Sequence, residues 1–291
     1  MTERVEDSVA REPVVPEVVS AALAEDLRYG ADVTTQATVG DDASATAALT
    51  LREPGVLAGV DLALAVFAEV FPEGESFELL SRTVDGTSHA VGEPAVVLRG
   101  RTRALLTAER TALNLLCQLS GVATATAAWV SAVAGTGCAI RDSRKTVPGL
   151  RLPQKYAVRC GGGVNHRFGL GDAALVKDNH VVAAGSVTEA LRLVRDRGAT
   201  VPCQVEVDDL DQLTEALDAG ADEVLLDNFT PRGCATAVRY RDGVAPAVPL
   251  EASGGLELAN AREYAETGVD YLAVGALTHS SPALDIAMDL S

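Results

Sequence analysis

Paired cysteines, a long apolar run and an excess of basic charge are all missing from this sequence, and each absence removes a class of protein. The five cysteines (Cys117, Cys138, Cys160, Cys203, Cys234) are odd in number, stand far apart and form no C-x-x-C pair. Neither a disulfide framework nor a structural zinc site is expected; reduced, mostly buried thiols are. The most apolar stretch, residues 56–71, is interrupted by Asp61 and Glu69 and is too short to span a bilayer. The opening 15 residues are polar, charged and punctuated by proline, without the apolar centre of a signal peptide. A cytoplasmic protein is expected. The net charge of −17 argues against nucleic acid as a partner.

Lysine is scarce too. There are 21 Arg and three Lys, and all three Lys fall between residues 141 and 177. That segment holds eight basic residues (Arg141, Arg144, Lys145, Arg151, Lys155, Arg159, Arg167, Lys177) against two acids, Asp142 and Asp172. Charges more than about 8 Å apart are largely screened at physiological salt, so a local basic pocket can bind an anion on an acidic protein. The segment is therefore a candidate anion site.

The 291 residues suit two domains or one large barrel. Up to about residue 103, short β-like runs such as TAALTLREPG, FELLSRTVDG and PAVVLRG alternate with turn signals, and LALAVFAEVF reads as a helix. Residues 104–133 are helical in composition, with a break expected near Ser120-Gly121. From Gly137 the runs CAIRD, AALVKD, CQVEVD, EVLLDN, VPLEAS and YLAVGA alternate with amphipathic stretches, most of them ending in glycine. Apolar strands alternating with helices predict parallel βα units, in a barrel or a doubly wound sheet.

Barrels carry their chemistry at the C-terminal ends of the strands. Here those ends are Lys177, Glu206, Asp227, Ser253-Gly254-Gly255 and Gly275. Glu206 and Asp227 are suited to a divalent metal or to a developing positive charge. The glycine pair in EASGGLELANAREY, between strand and helix, can present backbone N–H groups to phosphate, and YLAVGALTH supplies a second glycine loop with His279 beside it. GGGVNHRFGLGD is not a Walker loop. It is flanked by Arg144 and Lys145 and contains His166 and Arg167, a set suited to carboxylates beside phosphates.

The segment DSRKTVPGLRLPQKYAVRCGGGVNHRFGLGDAALVKDNH closely resembles the signature of quinolinate phosphoribosyltransferases. The resemblance continues in order through VEVDD, VLLDN, LEASGGL and VGALTH, and upstream through AEDLRYGADVTT, GVLAG and LLTAERTALNLLCQLSGVATAT. It implies an N-terminal α/β sandwich domain (residues 1–116, joined by 280–291) and an open, incomplete α/β barrel of the type II phosphoribosyltransferase kind (residues 117–279). It implies phosphoribosyl transfer to quinolinate with loss of CO2, and a homodimer or higher oligomer. Arg144, His166, Arg167 and Lys177 would surround the quinolinate carboxylates, with Arg110 supplied by a neighbouring subunit. Lys145 and Lys177 would contact the diphosphate substrate and act in catalysis with Glu206 and Asp227, which would face the ribose and its Mg²⁺. Ser253, Gly254, Gly255, Gly275 and His279 would hold phosphate. Ser143, Gly30-Ala31-Asp32 and Phe229 depart from the family's usual residues. The competing readings are a transferase for a monocarboxylate such as nicotinate, a relative of proteins linked to molybdate transport, a silent pyridine-carboxylate binder, and a lyase using Lys177 as a Schiff base.

Overall fold

Alternation in SATAALTL sets Ala47, Leu49 and Leu51 on one side of an extended segment, and all three are fully buried in a computed structural model. The structure describes residues 16–197 and 200–291. The polar opening stretch and Gly198, an expected helix stop, lie outside the described residues. Two compact units emerge: Met1–Ala127 with Thr146–Gly162 and Leu277–Ser291, and Ala128–Lys145 with Gly163–Ala276.

In the first unit, helices α1 (Pro16–Asp26) and α2 (Val33–Thr38) precede strands β1 (Ser44–Leu51) and β2 (Gly55–Val56). Helix α3 (Val60–Val70) is followed by β3 (Glu78–Arg82), β4 (Ser88–His89), β5 (Pro94–Arg101) and the 31-residue helix α4 (Thr102–Ala132). The expected LALAVFAEVF helix corresponds to α3. An antiparallel sheet runs β12-β1-β5-β3, where β12 (Ile286–Leu290) is the last strand of the chain and pairs Ile286 with Leu51. Phe67, Leu62, Leu105, Leu116 and Leu119 from α3 and α4 complete the core. By length and composition α4 could cross a membrane, and half of its most apolar stretch is buried inside the chain.

The break expected at Ser120-Gly121 is absent: α4 runs through it. The Ser120 hydroxyl accepts from the Ala58 N–H at 3.1 Å, and the Thr124 hydroxyl accepts from the Val56 N–H at 2.9 Å. These residues dock a neighbouring backbone rather than end the helix. Gly121 makes the same point sterically, since a Cβ there would sit 2.0 Å from the Pro282 carbonyl oxygen. Gly121→Ala is expected to destabilise the protein by about 3 kcal/mol, the upper part of the range for overpacking, measured by denaturant titration.

The second unit contains β6 (Ala139–Arg141), β7 (Ala174–Val176), α6 (Asp178–Ala184), α7 (Val187–Asp196), β8 (Cys203–Val207) and α8 (Leu210–Asp218). Then follow β9 (Glu223–Asp227), α9 (Pro231–Val244), β10 (Leu250–Ser253), a 3₁₀ turn, α10 (Ala261–Ala265) and β11 (Tyr271–Ala273). Helix α5 (Arg151–Cys160), inserted between β6 and β7, belongs to the first unit, and the short α11 (Ala276–His279) ends the βα series. Ser186, Asp209 and Thr230 cap α7, α8 and α9 through their side chains. Gly243, an expected stop, lies inside α9, which continues to Val244.

The sheet order β6-β11-β10-β9-β8-β7 decides between the two predicted architectures. Each step from β7 to β11 moves to the next neighbour, and the first strand pairs with the last, as a barrel requires; a doubly wound sheet reverses direction partway. Among the described residues only the β6–β7 pairing is missing. The barrel is open at that seam.

The strands also differ from the fully apolar reading. Register aligns Gln204 with Glu223, and Ser253 with Asp227, so their side chains share one face. Glu206, Glu251 and Arg141 lie on that face too, by the same alternation. The opposite face (Ile140, Val205, Val224, Leu226, Ala252, Leu272) is apolar and buried. One side of the sheet is thus a packing surface and the other a polar interior.

Candidate active site

Chemistry gathers where the polar face meets the C-terminal ends of the strands. Lys177 follows β7 and caps α6; its backbone N–H donates to His180 Nδ1 at 2.9 Å. Its ammonium donates to the Glu206 carboxylate from β8. Asp227 ends β9, and its carboxyl is held above the ordinary value, first by burial and then by repulsion from Glu206 and Asp208. Lys177 and Lys145 act in the opposite sense. Two strand-end carboxylates and two lysines therefore share one electrostatic neighbourhood.

The turn after β9 is held under strain. Asn228 adopts a left-handed backbone (φ 56°), and its side-chain N–H donates to Asp227 at 2.7 Å. Its backbone N–H donates to the Ser253 carbonyl at 2.8 Å. Gly254 has a φ of 86°, and a Cβ there would sit 2.1 Å from Asn228 Oδ1. Gly254 is thus required by a close approach as well as by its backbone, and Gly255 by its backbone alone (φ 63°). A 3₁₀ turn, Leu258–Asn260, and the five-residue α10 follow it, too short to add much helix dipole. Any phosphate cradle here rests on local N–H groups.

The expected cations divide. Arg144 and Lys145 follow β6, and His166 and Arg167 precede β7, so all four lie in the connection across the open seam. Burial pushes the Arg167 guanidinium down, and the neighbouring positive charge of Arg144 pushes the same way against Asp172. Two guanidinium groups close enough to repel are suited to paired negative charge. Ser143 Oγ accepts from the Lys145 N–H at 3.0 Å, so the hydroxyl that replaces threonine keeps a backbone contact.

Arg141, one of the eight basic residues, is engaged inside the sheet. Arg141 points into the polar interior, bonded to Glu223 and, at 2.7 Å, to Glu251, with its guanidinium 3.5 Å above the Tyr271 ring. It is a buried structural ion pair, because a charge removed from water needs partners. Arg151, Lys155 and Arg159 fall in the first unit. Arg151 donates to Thr146 at 3.1 Å, Lys155 is fully buried, and Arg159 lies 5.7 Å from the Tyr156 ring. The two acids of the segment fasten the seam. Asp142, fully buried, accepts from the His166 N–H at 2.9 Å and the Asn165 side chain at 2.6 Å. Asp172 accepts from the N–H groups of Phe168 and Gly169 at 2.6 and 2.8 Å.

Arg110 is exposed on α4, and His279 is exposed with Nδ1 2.6 Å from Ser280 Oγ; both belong to the first unit. Asp32, one of the departures, caps α2 by accepting from the Thr35 N–H at 2.9 Å. Phe229 is buried. Reading the sequence for strand ends missed Gln204, Glu223 and Glu251, one layer deeper. Their signal was the i, i+2 spacing of Gln204 with Glu206 and the matching polar residue opening EVLLD.

Comparison with known proteins fits this geometry. Residues 32–120 match the family model described as quinolinate phosphoribosyl transferase, N-terminal domain, and residues 122–289 match the corresponding C-terminal domain. The chain is 57% identical over 274 residues to a carboxylating nicotinate-nucleotide pyrophosphorylase of Mycobacterium leprae, covering 94% of this chain and 96% of that protein. It is 39% identical over 254 residues to the human protein of the same name, covering 84% and 82%. The solved nicotinate-nucleotide pyrophosphorylase of Francisella tularensis superposes with a TM-score of 0.89 at 36% identity, covering 100% of both chains.

Proposed function

Because the chain belongs to the quinolinate phosphoribosyltransferase family, we propose that it joins quinolinate to phosphoribosyl diphosphate, yielding nicotinate mononucleotide, diphosphate and CO2. It is an enzyme, a pentosyltransferase of NAD biosynthesis. The observation that carries the substrate reading is the Arg144–Arg167 pair, two neighbouring cations, with Arg167 partly desolvated, suited to a ligand with two carboxylates. A cytoplasmic setting suits its substrates.

The residues support a division of labour. Arg144 and Arg167 bind the dicarboxylate, Lys177 stands between it and Glu206, and Lys145 meets the diphosphate. The pyridine nitrogen donates its lone pair to C1 of the ribose, while the C1–O bond breaks and its electrons leave with diphosphate. Positive charge develops on the sugar in between, and Glu206 and Asp227 stabilise it where it forms. The nitrogen is then a pyridinium. It accepts the electron pair released when the adjacent carboxylate leaves as CO2, and a proton from solvent replaces the carboxylate on the ring. Gly254, Gly255, Gly275 and Ser253 form the phosphate-holding set, and Arg110 is supplied by a second copy of the chain.

Mg²⁺ fits this site as a passenger of the diphosphate. Among the described residues no cluster of three or more His, Cys, Asp or Glu side chains could hold a metal unaided. The repulsion between Glu206 and Asp227 nonetheless favours a cation between them. The ion would neutralise charge on the leaving diphosphate; the two carboxylates would hold it, directly or through water.

The rivals fit less well. Lys177 is engaged in an ion pair with Glu206, whereas a Schiff base needs a free amine. A monocarboxylate would leave one guanidinium without its counter-charge. The test is to supply phosphoribosyl diphosphate and Mg²⁺ with either quinolinate or nicotinate. Quinolinate-dependent CO2 and nicotinate mononucleotide are expected; turnover of nicotinate alone would overturn the assignment.

A further inference from the structure

The polar interior beneath the site holds a chain of bonds that the reaction does not itself require. Gln204, on β8, is 5% exposed and therefore almost sealed from water. Its side-chain N–H donates to Glu223 at 2.8 Å, and Glu251 is a second buried carboxylate of the same interior. Both carboxylates are anchored by Arg141. This fixes the orientation of the amide, because its NH2 faces the Glu223 carboxylate and its oxygen must face the other way. That oxygen lies 2.8 Å from His166 Nε2. An oxygen can only accept, so His166 carries its proton on Nε2. On the far side of the ring, Nδ1 accepts from the backbone N–H of Arg167 at 2.8 Å.

We propose that Gln204 is a positioning residue for the dicarboxylate pocket: anchored by Glu223 and, through Glu223, by Arg141, it fixes the His166 tautomer and orientation, and through His166 the backbone of Arg167. This rests on the reading of Arg167 as a quinolinate-binding cation. Amide chemistry is needed at this point. An apolar residue of the same size can neither donate to the Glu223 carboxylate nor accept from the imidazole. A glutamate would set a third carboxylate against two that burial already holds above the ordinary value. The relay also explains why charged residues occupy the barrel interior. They hold the seam, where β6 and β7 do not pair, to the strands opposite. The loop bearing Arg167 is held as well by Asp142, by Asp172 and by the bond from the Arg167 guanidinium to the Ala173 carbonyl at 3.0 Å.

Two measurements test it. In the unaltered protein labelled with [¹⁵N]histidine, His166 is expected to show a protonated Nε2 and an unprotonated Nδ1; a protonated Nδ1 would overturn the proposal. In kinetics, Gln204→Met is expected to raise KM for quinolinate about tenfold, the effect of weakening one charge-assisted hydrogen bond, with KM for phosphoribosyl diphosphate changed less than about twofold. In an Arg167→Lys background the same change is expected to add less than about twofold, because both substitutions disable one unit. A merely structural glutamine predicts equal losses in both backgrounds and in both KM values, and that result would refute the relay. If Gln204→Met fails to fold, the histidine spectrum still decides. If the unaltered protein releases no CO2 from quinolinate, the functional reading fails, while the spectrum continues to judge the tautomer.

Discussion

Replacing Glu206 by glutamine and Asp227 by asparagine together is expected to abolish CO2 release, by a factor of about 10³ or more, while quinolinate still binds. The magnitude follows from removing preorganised charge at a centre where charge develops, which costs about 10²–10³ for a single group. The separation of binding from turnover follows from the layout. The carboxylates lie at the ends of β8 and β9, within one residue, whereas the cations proposed to meet the dicarboxylate lie on the seam. Stability supplies the control. The Asp227 carboxyl sits above its ordinary value because of burial, with Glu206 and Asp208 adding repulsion. A raised value means that the folded protein disfavours the carboxylate. The corresponding stability is present at low pH and lost as pH rises through the folded-state value. At neutral pH an asparagine of the same shape removes that cost, so Asp227→Asn is expected to melt no lower than the unaltered ligand-free protein. Loss of activity together with a large fall in melting temperature would mean that the carboxylates serve the fold. The readouts are isothermal titration with quinolinate, CO2 release and thermal melting.

Substituting Arg144 or Arg167 by leucine is expected to weaken quinolinate binding by about 10–10² in each case, the worth of a charge-assisted hydrogen bond at 1.5–3 kcal/mol. Lysine at either position is expected to rescue only in part, because a point charge cannot reproduce a planar fork against a carboxylate. Arg167 carries a second signature. Its guanidinium is pushed down by burial first and by Arg144 second. Arg144→Leu therefore relieves repulsion even as it removes a ligand contact, and the double variant is expected to lose less than the product of the two single losses. A strictly multiplicative loss would place the two arginines in separate sites. KM for phosphoribosyl diphosphate is the internal reference, expected to change far less.

Much of this site was legible in the linear sequence because the barrel rule ties function to strand ends. Glu206 and Asp227 are each within one residue of the end of an apolar run, and alternation places them on the same face. The glycine pair was legible for the same reason, although its tightest constraint, the approach of Asn228 to Gly254, belongs to the folded state. Arg141 shows where the sequence misleads. It lies in the same basic segment as Arg144, three residues away, but the pleat turns it inward to Glu223 and Glu251. No local pattern reveals that, because its partners lie 82 and 110 residues along the chain. Ser120-Gly121 shows the opposite failure. Residues that ordinarily signal a stop are retained inside α4 because backbone from residues 56–58 and 282–283 packs against them. Propensity yields there to tertiary contact.

The most direct test is a crystal structure of the protein with quinolinate bound. Both carboxylates are expected within hydrogen-bonding distance of Arg144 and Arg167, with the ring nitrogen facing Glu206 and Asp227. Quinolinate seated away from the seam, with those arginines untouched, would contradict it.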